Sequence, residues 1–225
     1  MTRFFDILFS LLALIVLTPF MIPIMIGLKL TGEHDIFYRQ ERIGRYGKPF
    51  MLIKFATMKR NSPNLPGGLF TSEDDPRILP MGRFLRKTKV NELPQLLNIL
   101  KGDMSVIGYR PTVMKSYQKF PLSVREKISY TRPGLSGIGS VVFRDEEKIL
   151  QNMKNKEEFN DRVIVPYKGE LEVWYTNHRS VINYFKLILL TIDSVLIRLP
   201  IDGRLVSMIY QVYQMSLHSI YNRYL

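Results

Sequence analysis

The 225-residue chain contains no cysteine. That absence excludes disulfides, thiolate metal sites and cysteine nucleophiles together, and it fits a reducing compartment. Histidine is almost as scarce: His34, His178 and His218 are scattered without ligand spacing, which argues against zinc. Acidic residues are also short, 20 Asp and Glu against 32 Lys and Arg, leaving a formal charge of +12. Such an excess attracts a polyanion, which could be nucleic acid, an anionic membrane surface or a phosphorylated substrate. Nucleic acid has only the charge in its favour, because no recognition motif or interleaved set of stacking aromatics accompanies it. Internal repeats and low-complexity tracts are missing too. The length suits one medium catalytic unit plus a short membrane element.

There is one long apolar run, from Phe4 to Leu28, broken only by Asp6, Ser10, Thr18, Pro19 and Pro23. It exceeds a signal-peptide core and no small-residue cleavage site follows it, so its retention is expected. About 20 apolar residues span a bilayer, which makes a simple transmembrane helix one reading. Pro19 removes an amide donor and crowds the preceding turn, so Thr18-Pro19 should bend the helix. Arg3 ahead of the run and Lys29, Arg39, Arg42 and Arg45 behind it leave both flanks basic, with little asymmetry to orient a span. A re-entrant hairpin over residues 1–30, entering and leaving on the cytoplasmic side, accommodates both facts. Asp6 is either a functional intramembrane carboxylate or a first-turn dipole partner one turn from Arg3.

Residues 31–199 form the expected cytoplasmic domain. Segment 36–60 reads as basic and turn-rich, ending in a strand from Phe50 to Phe55, and 61–82, rich in Pro and Gly, as a surface loop. Val90, Leu93, Leu97 and Leu100 recur at helical spacing, predicting a helix from near Asn91 to Lys101, with Pro94 in its first turn and Gly102 as its stop. Further helices are expected over 112–130 and 145–162, with an irregular loop over Thr131–Gly139 between them. Residues 181–199 are apolar but carry Lys186, Asp193 and Arg198, which favours interfacial docking or core packing over spanning. The tail 200–225 reads as a second amphipathic helix. The expected class is α/β with helices dominant and a small sheet.

The densest chemical signal is LRKTKVNELPQLLNILKGDMSVIGYRP, Leu85 to Pro111. Arg86, Asn91-Glu92 at a helix start, Asp103 and Arg110 gather there. A helix N-terminus offers free amides and positive character to phosphate, and arginine adds bidentate contacts. Acidic residues beside such a site make sense when they hold a divalent cation bridging to the phosphates. Asn91 as an N-cap and Glu92 as a first-turn acid explain the pair equally well without function.

This stretch resembles the bacterial sugar transferase family, small monotopic phosphoglycosyl transferases whose catalytic segment reads roughly L-R-x-x-x-D-E-L-P-Q-L-x-N-V-L-x-G-D-M-S-x-x-G-P-R-P. Further likeness lies in Arg3-Phe4-Phe5-Asp6 and Thr18-Pro19, in Ile36 to Gly44, in Gly47 to Phe50, in Lys54-Phe55, in Arg132 to Gly137, and in Glu170 to Tyr175. Arg144 falls at a family active-site arginine. The resemblance implies transfer of a phosphosugar from a UDP-sugar to undecaprenyl phosphate, releasing UMP, at the cytoplasmic face of a bacterial inner membrane. It also implies Mg2+ held by Glu92, phosphate contacts from Lys54, Arg86, Arg110 and Arg144, and a membrane hairpin carrying Asp6, Thr18 and Pro19. Membrane lipid is then a partner, nucleic acid is not, and a homodimer is left open.

The departures bear on mechanism. Asn91 stands where the family nucleophile is aspartate, and a carboxamide is a poor nucleophile. Three explanations follow: a substitution that traps an inactive form, a natural variant using Glu92 or direct transfer, or a catalytically silent scaffold of a glycan-assembly complex. Ala56 replaces a usual basic residue, Tyr109 replaces the proline ahead of Arg110, and Ile138-Gly139 replaces a typical Trp-Ala pair. Trp174 and Tyr175 are expected to pack rather than to stack on sugar.

Overall fold

The computed structural model describes residues 2–65, 75–144, 146–151 and 155–194. Among the described residues the chain is helix-dominated, with two small sheets. Two compact units emerge, one of Arg3–Arg42 with Pro49–Met104, the other of Met1–Thr2 and Ile43–Lys48 with Ser105 onward.

The first unit opens with α1 (Thr2–Leu30), 29 residues long and apolar enough to cross a membrane by length and composition. Its helical assignment runs unbroken through Thr18, Pro19 and Pro23. Only Asp6, Ser10, Met21 and Leu28 are buried, at spacings that put them along one stripe. Met21 and Leu28 pack with Phe55 and Leu85, flanked by Leu17, Ile24, Met81, Val90 and Leu93. Elsewhere Phe4, Leu11, Leu12, Ile15, Val16 and Phe20 face outward. An apolar surface of this extent marks a helix that meets lipid or another protein. Asp6 lies one residue beyond the first turn and is 2% exposed.

β1 (Phe37–Ile43) and β2 (Pro49–Phe55) form a two-stranded sheet; a five-residue connection can only join antiparallel strands. The strand at Phe50–Phe55 was legible, whereas β1 hid among charged residues: Arg39, Glu41 and their neighbours alternate exposed and half-buried positions down to buried Ile43. Segment 61–82 is less irregular at its end than expected, because Pro80 opens α2 (Pro80–Lys87) at the first helical position. Met58 also bridges to Ile78 in antiparallel fashion. The helix expected from Asn91 divides. Val90–Glu92 is a single 3-10 turn, and α3 (Gln95–Lys101) starts only after Pro94, which has no amide with which to continue the turn before it. Gly102 stops α3 at φ +100°, a left-handed conformation suited to glycine.

In the second unit β3 (Ser105–Ile107) pairs in parallel with β4 (Gly134–Ser136), Ser105 opposite Gly134 and Ile107 opposite Ser136. The loop expected over Thr131–Gly139 is therefore a strand followed by α6 (Ile138–Val142), since three residues carry too little pattern to reveal a buried strand. The helix expected over 112–130 divides at Pro121 into α4 (Met114–Tyr117) and α5 (Leu122–Ser129). Ile43, Tyr109, Tyr117 and Ile128 form the core there, packed by Phe120, Val124 and Val173. α7 (Glu146–Gln151) and α8 (Lys156–Phe159) lead through a π turn, Asn160–Ile164, into α9 (Val165–Asn177) and then α10 (Val181–Ile192). α9 is a long element that went unpredicted, because it buries Glu172 among apolar residues and lacks a clean stripe. The expected amphipathic tail over 200–225 lies outside the described residues.

Candidate functional site

The first unit brings four of the expected site residues into neighbouring elements. Lys54 sits at the end of β2 and Glu92 at the end of the 3-10 turn that precedes α3. Their Nζ and Oε1 lie 3.5 Å apart, with side chains 20% and 17% exposed. An ion pair at this distance, partly shielded, still has water and ligand access on one side. Asn91 is 6% exposed, and its Oδ1 is sealed from solvent with no hydrogen-bond partner among the described residues. An orphaned buried acceptor costs about 1–3 kcal/mol unless something donates to it or it meets a cation. Lys89, in the left-handed region at φ 60°, turns the chain from α2 into this segment.

Arg86, in the last turn of α2, directs Nη1 to Met58 Sδ at 3.7 Å and contributes to holding Asp75 low. The larger cause there is Arg77, whose guanidinium bonds both Asp75 oxygens at 2.6–3.1 Å and holds that carboxyl down at about 2. Arg77 also donates to the Ser62 carbonyl at 3.1 Å, so this buried pair ties together the two described ends of the 61–82 segment. Sequence reasoning missed it. Two loop residues of opposite sign, two positions apart, carry no signal of burial.

Arg110 and Arg144 belong to the second unit, Arg110 exposed after β3 and Arg144 half-buried after α6. Two residues not anticipated from sequence join Arg110. Lys168 on α9 pairs with Glu146 at 2.5 Å; burial lowers its pKa, with Arg110 repelling in the same direction. Glu172, one helical turn further, is 4% exposed; burial pushes its carboxyl up to about 8, against the opposing pull of the Gly139 amide and Lys168. Its Oε1 accepts the Gly139 N–H at 3.2 Å, while Oε2 has no partner among the described residues. A Cβ on residue 139 would stand 2.6 Å from Oε1, so only glycine admits this contact. Tyr109, in place of the proline, is buried at 3% exposure with its hydroxyl 3.5 Å from the Ile43 carbonyl.

In α1, the Thr18 hydroxyl donates back to the Leu14 carbonyl at 2.5 Å, one residue before Pro19. Among the described residues there is no group of three or more His, Cys, Asp or Glu that could cage a metal.

The first unit thus sets a lysine against a carboxylate just ahead of α3 and carries an N-terminal helix long and apolar enough to cross a membrane by length and composition. Comparison with known proteins makes this specific: residues 1–198 match the bacterial sugar transferase family, and the chain belongs to it. It is 33% identical over 205 residues to the galactosyl transferase CpsE of Streptococcus agalactiae, covering 87% of this chain and 42% of that protein. It is 37% identical over 158 residues to the undecaprenyl-phosphate galactose phosphotransferase of Salmonella typhimurium, covering 64% of this chain and 33% of that one. It is also 30% identical over 197 residues to the sugar transferase EpsL of Bacillus subtilis, an uncharacterized protein, with 87% of each chain covered. The chain thus spans less than half the length of the first two relatives.

Proposed function

We propose that this protein moves a phosphosugar from a UDP-sugar to undecaprenyl phosphate at the cytoplasmic face of a bacterial inner membrane. The product is undecaprenyl-diphosphate sugar, the starting unit of a surface glycan. The Lys54–Glu92 pair, next in sequence to Asn91, carries this reading, because it sets an ammonium group and a hard carboxylate donor side by side, partly exposed, just ahead of α3. The relatives' names supply the acceptor lipid.

In the transfer, an oxygen of the lipid phosphate bonds to the sugar-bearing phosphorus as the bond from that phosphorus to the bridging oxygen breaks. UMP departs with the electron pair. Within the first unit, Lys54 and Arg86 orient and neutralise the phosphates. Asn91 has no ionisable oxygen, so the displacement proceeds directly or through Glu92 rather than through a covalent phosphosugar on residue 91. The Glu92 carboxylate is the group that would hold Mg2+, with the rest of its shell from water and substrate phosphate, as this ion prefers. When bound, the cation neutralises diphosphate charge.

The hairpin seating of α1 is part of the same reading. At about 1.5 Å per residue the helix is roughly 43 Å long, against roughly 30 Å of hydrocarbon. Arg3 near its start and Leu28 near its end both contact the first unit. Thr18, bonded back to Leu14, and Pro19 stand mid-helix, where a bend in lipid would return the chain to the face it entered.

The test is UMP release from a panel of UDP-sugars with undecaprenyl phosphate and Mg2+ in lipid nanodiscs. Release that Glu92→Gln abolishes is expected. The neutral Asn91 favours a second reading, a silent scaffold of a glycan-assembly complex. That reading prevails if the parent is inert, Asn91→Asp releases UMP, and Glu92→Gln leaves glycan assembly in cells intact. If neither protein releases UMP from any donor, the transferase reading fails.

A further inference from the structure

An unbroken set of short polar contacts joins the start of α1 to the candidate site, all within the first unit. Arg3 sends its guanidinium to the C-terminal carbonyls of α3, Nη1 to Ile99 at 2.6 Å and Nη2 to Leu100 at 2.9 Å. These carbonyls lie at the negative end of the helix, where Ile99 also accepts the Gly102 N–H at 3.0 Å, so a guanidinium there is held by both hydrogen bonding and charge.

One residue earlier, Asn98 is 1% exposed and uses both ends of its carboxamide on β2. Oδ1 accepts the Ile53 N–H at 3.0 Å, and Nδ2 donates to the Met51 carbonyl at 2.8 Å. A single side chain thereby satisfies β2 as a neighbouring strand would. The Asn98 main-chain carbonyl also accepts the amides of Gly102 at 3.1 Å and Asp103 at 3.0 Å, fixing the end of α3 that Arg3 grips. Next after Ile53 comes Lys54, and Glu92 stands just ahead of α3. Lys54 therefore rides on β2, which Asn98 stitches to α3, and its partner in the 3.5 Å pair closes the 3-10 turn that leads through Leu93 and Pro94 into the same helix.

We propose that Arg3 and Asn98 are positioning residues: they set the geometry of the Lys54–Glu92 pair and make it depend on how α1 is seated in lipid. The inference rests on the assignment of that pair to phosphate binding. An energetic link of this length is worth a factor of about 5 to 10 in affinity.

The experiment is UDP titration with Mg2+ on the full chain in nanodiscs, alongside hydrogen exchange of the same samples. Arg3→Ala weakens UDP binding about fivefold to tenfold, Arg3→Lys recovers most of it, and Asn98→Ser weakens it at least as much. In a Glu92→Gln background Arg3→Ala shifts the dissociation constant by less than about twofold, because the pair it positions is gone. Exchange rises in peptides covering 51–55 and 90–93 and stays unchanged over 181–192. Equal losses in both backgrounds, a uniform rise in exchange, or no change in either measurement overturns the proposal. Failure of the parent to bind UDP sinks the phosphate-site reading instead, and the exchange pattern then decides by itself whether the link exists.

Discussion

Replacing Glu172 with glutamine should stabilise the protein at neutral pH and leave it unchanged in mild acid. The carboxyl is buried and pushed from the ordinary 4.5 to about 8, so between those values the unfolded chain releases a proton that the folded chain keeps. Folded Glu172 therefore contributes fully below about pH 4.5, and stability drains away as pH rises towards 8, at about 1.4 kcal/mol per pH unit. By pH 7 the loss is about 3 kcal/mol; relaxation around the charge trims this to about 2. Glutamine has the same shape, can accept the Gly139 N–H as Oε1 does, and has no proton to lose. Thermal unfolding of parent and Glu172→Gln in one detergent should give equal midpoints near pH 4 and a variant about 4–8 °C more stable at pH 7.5. Comparing the two proteins at each pH cancels every other titration. A difference that does not change with pH, or a variant less stable at pH 7.5, would mean that Lys168 keeps Glu172 ionised in the fold and would refute the reasoning.

Other consequences follow from single contacts. Asp75→Asn leaves Arg77 without its counter-charge and should lower the denaturation midpoint near pH 7. In the parent, with Asp75 held down at about 2, that contribution is present above about pH 4 and disappears as acid approaches pH 2. Gly139→Ala drives a methyl against Glu172 Oε1 and should lower stability by about 1–3 kcal/mol, with Glu172→Gln giving no rescue because the clash is steric. Pro19→Ala restores a mid-helix hydrogen bond and should straighten α1. Cysteine labelling from the two membrane faces reads the result: Met1 and Gly32 on the same face in the parent, and on opposite faces in the variant.

Much of the candidate site was visible in sequence because short motifs are local. The cluster from Arg86 to Glu92 falls on one turn-rich segment, and the stop at Gly102 follows from its φ preference alone. What stayed hidden depends on distant pairing. Arg3 finds α3 across 96 positions, and Asn98 finds Ile53 across 45. Either residue read by itself is an ordinary flank or a helix-interior polar residue. Glu172 and Lys168 were invisible for a different reason: a charged residue in a helical stretch is normally solvated, and only the packing of α9 against α6 removes the water. Pro94 was read as tolerated in the first turn of its helix, and 112–130 as one helix running through Pro121, whereas each proline shifts a helix start by several residues, since a missing amide decides the boundary once tertiary contacts hold the turn before it.

Asn91 brings fold and chemistry together at one atom. Its Oδ1 is sealed with no donor among the described residues, so Asn91→Asp places a full charge where none of them hydrogen-bonds it and a second carboxylate, Glu92, follows directly. Without cations the variant should lose about 1–3 kcal/mol relative to the parent above pH 5, because burial and like charge both disfavour its ionised form. A divalent cation reverses the sign: two adjacent carboxylates bind it more tightly than one carboxylate and a carboxamide, and ligand that binds only the folded state adds stability by mass action. Millimolar Mg2+ should therefore raise the unfolding midpoint of Asn91→Asp by several degrees more than that of the parent, and Glu92→Gln should erase the difference. If Mg2+ stabilises parent and variant equally, the two side chains do not share a cation, and Glu92 serves as the partner of Lys54 alone.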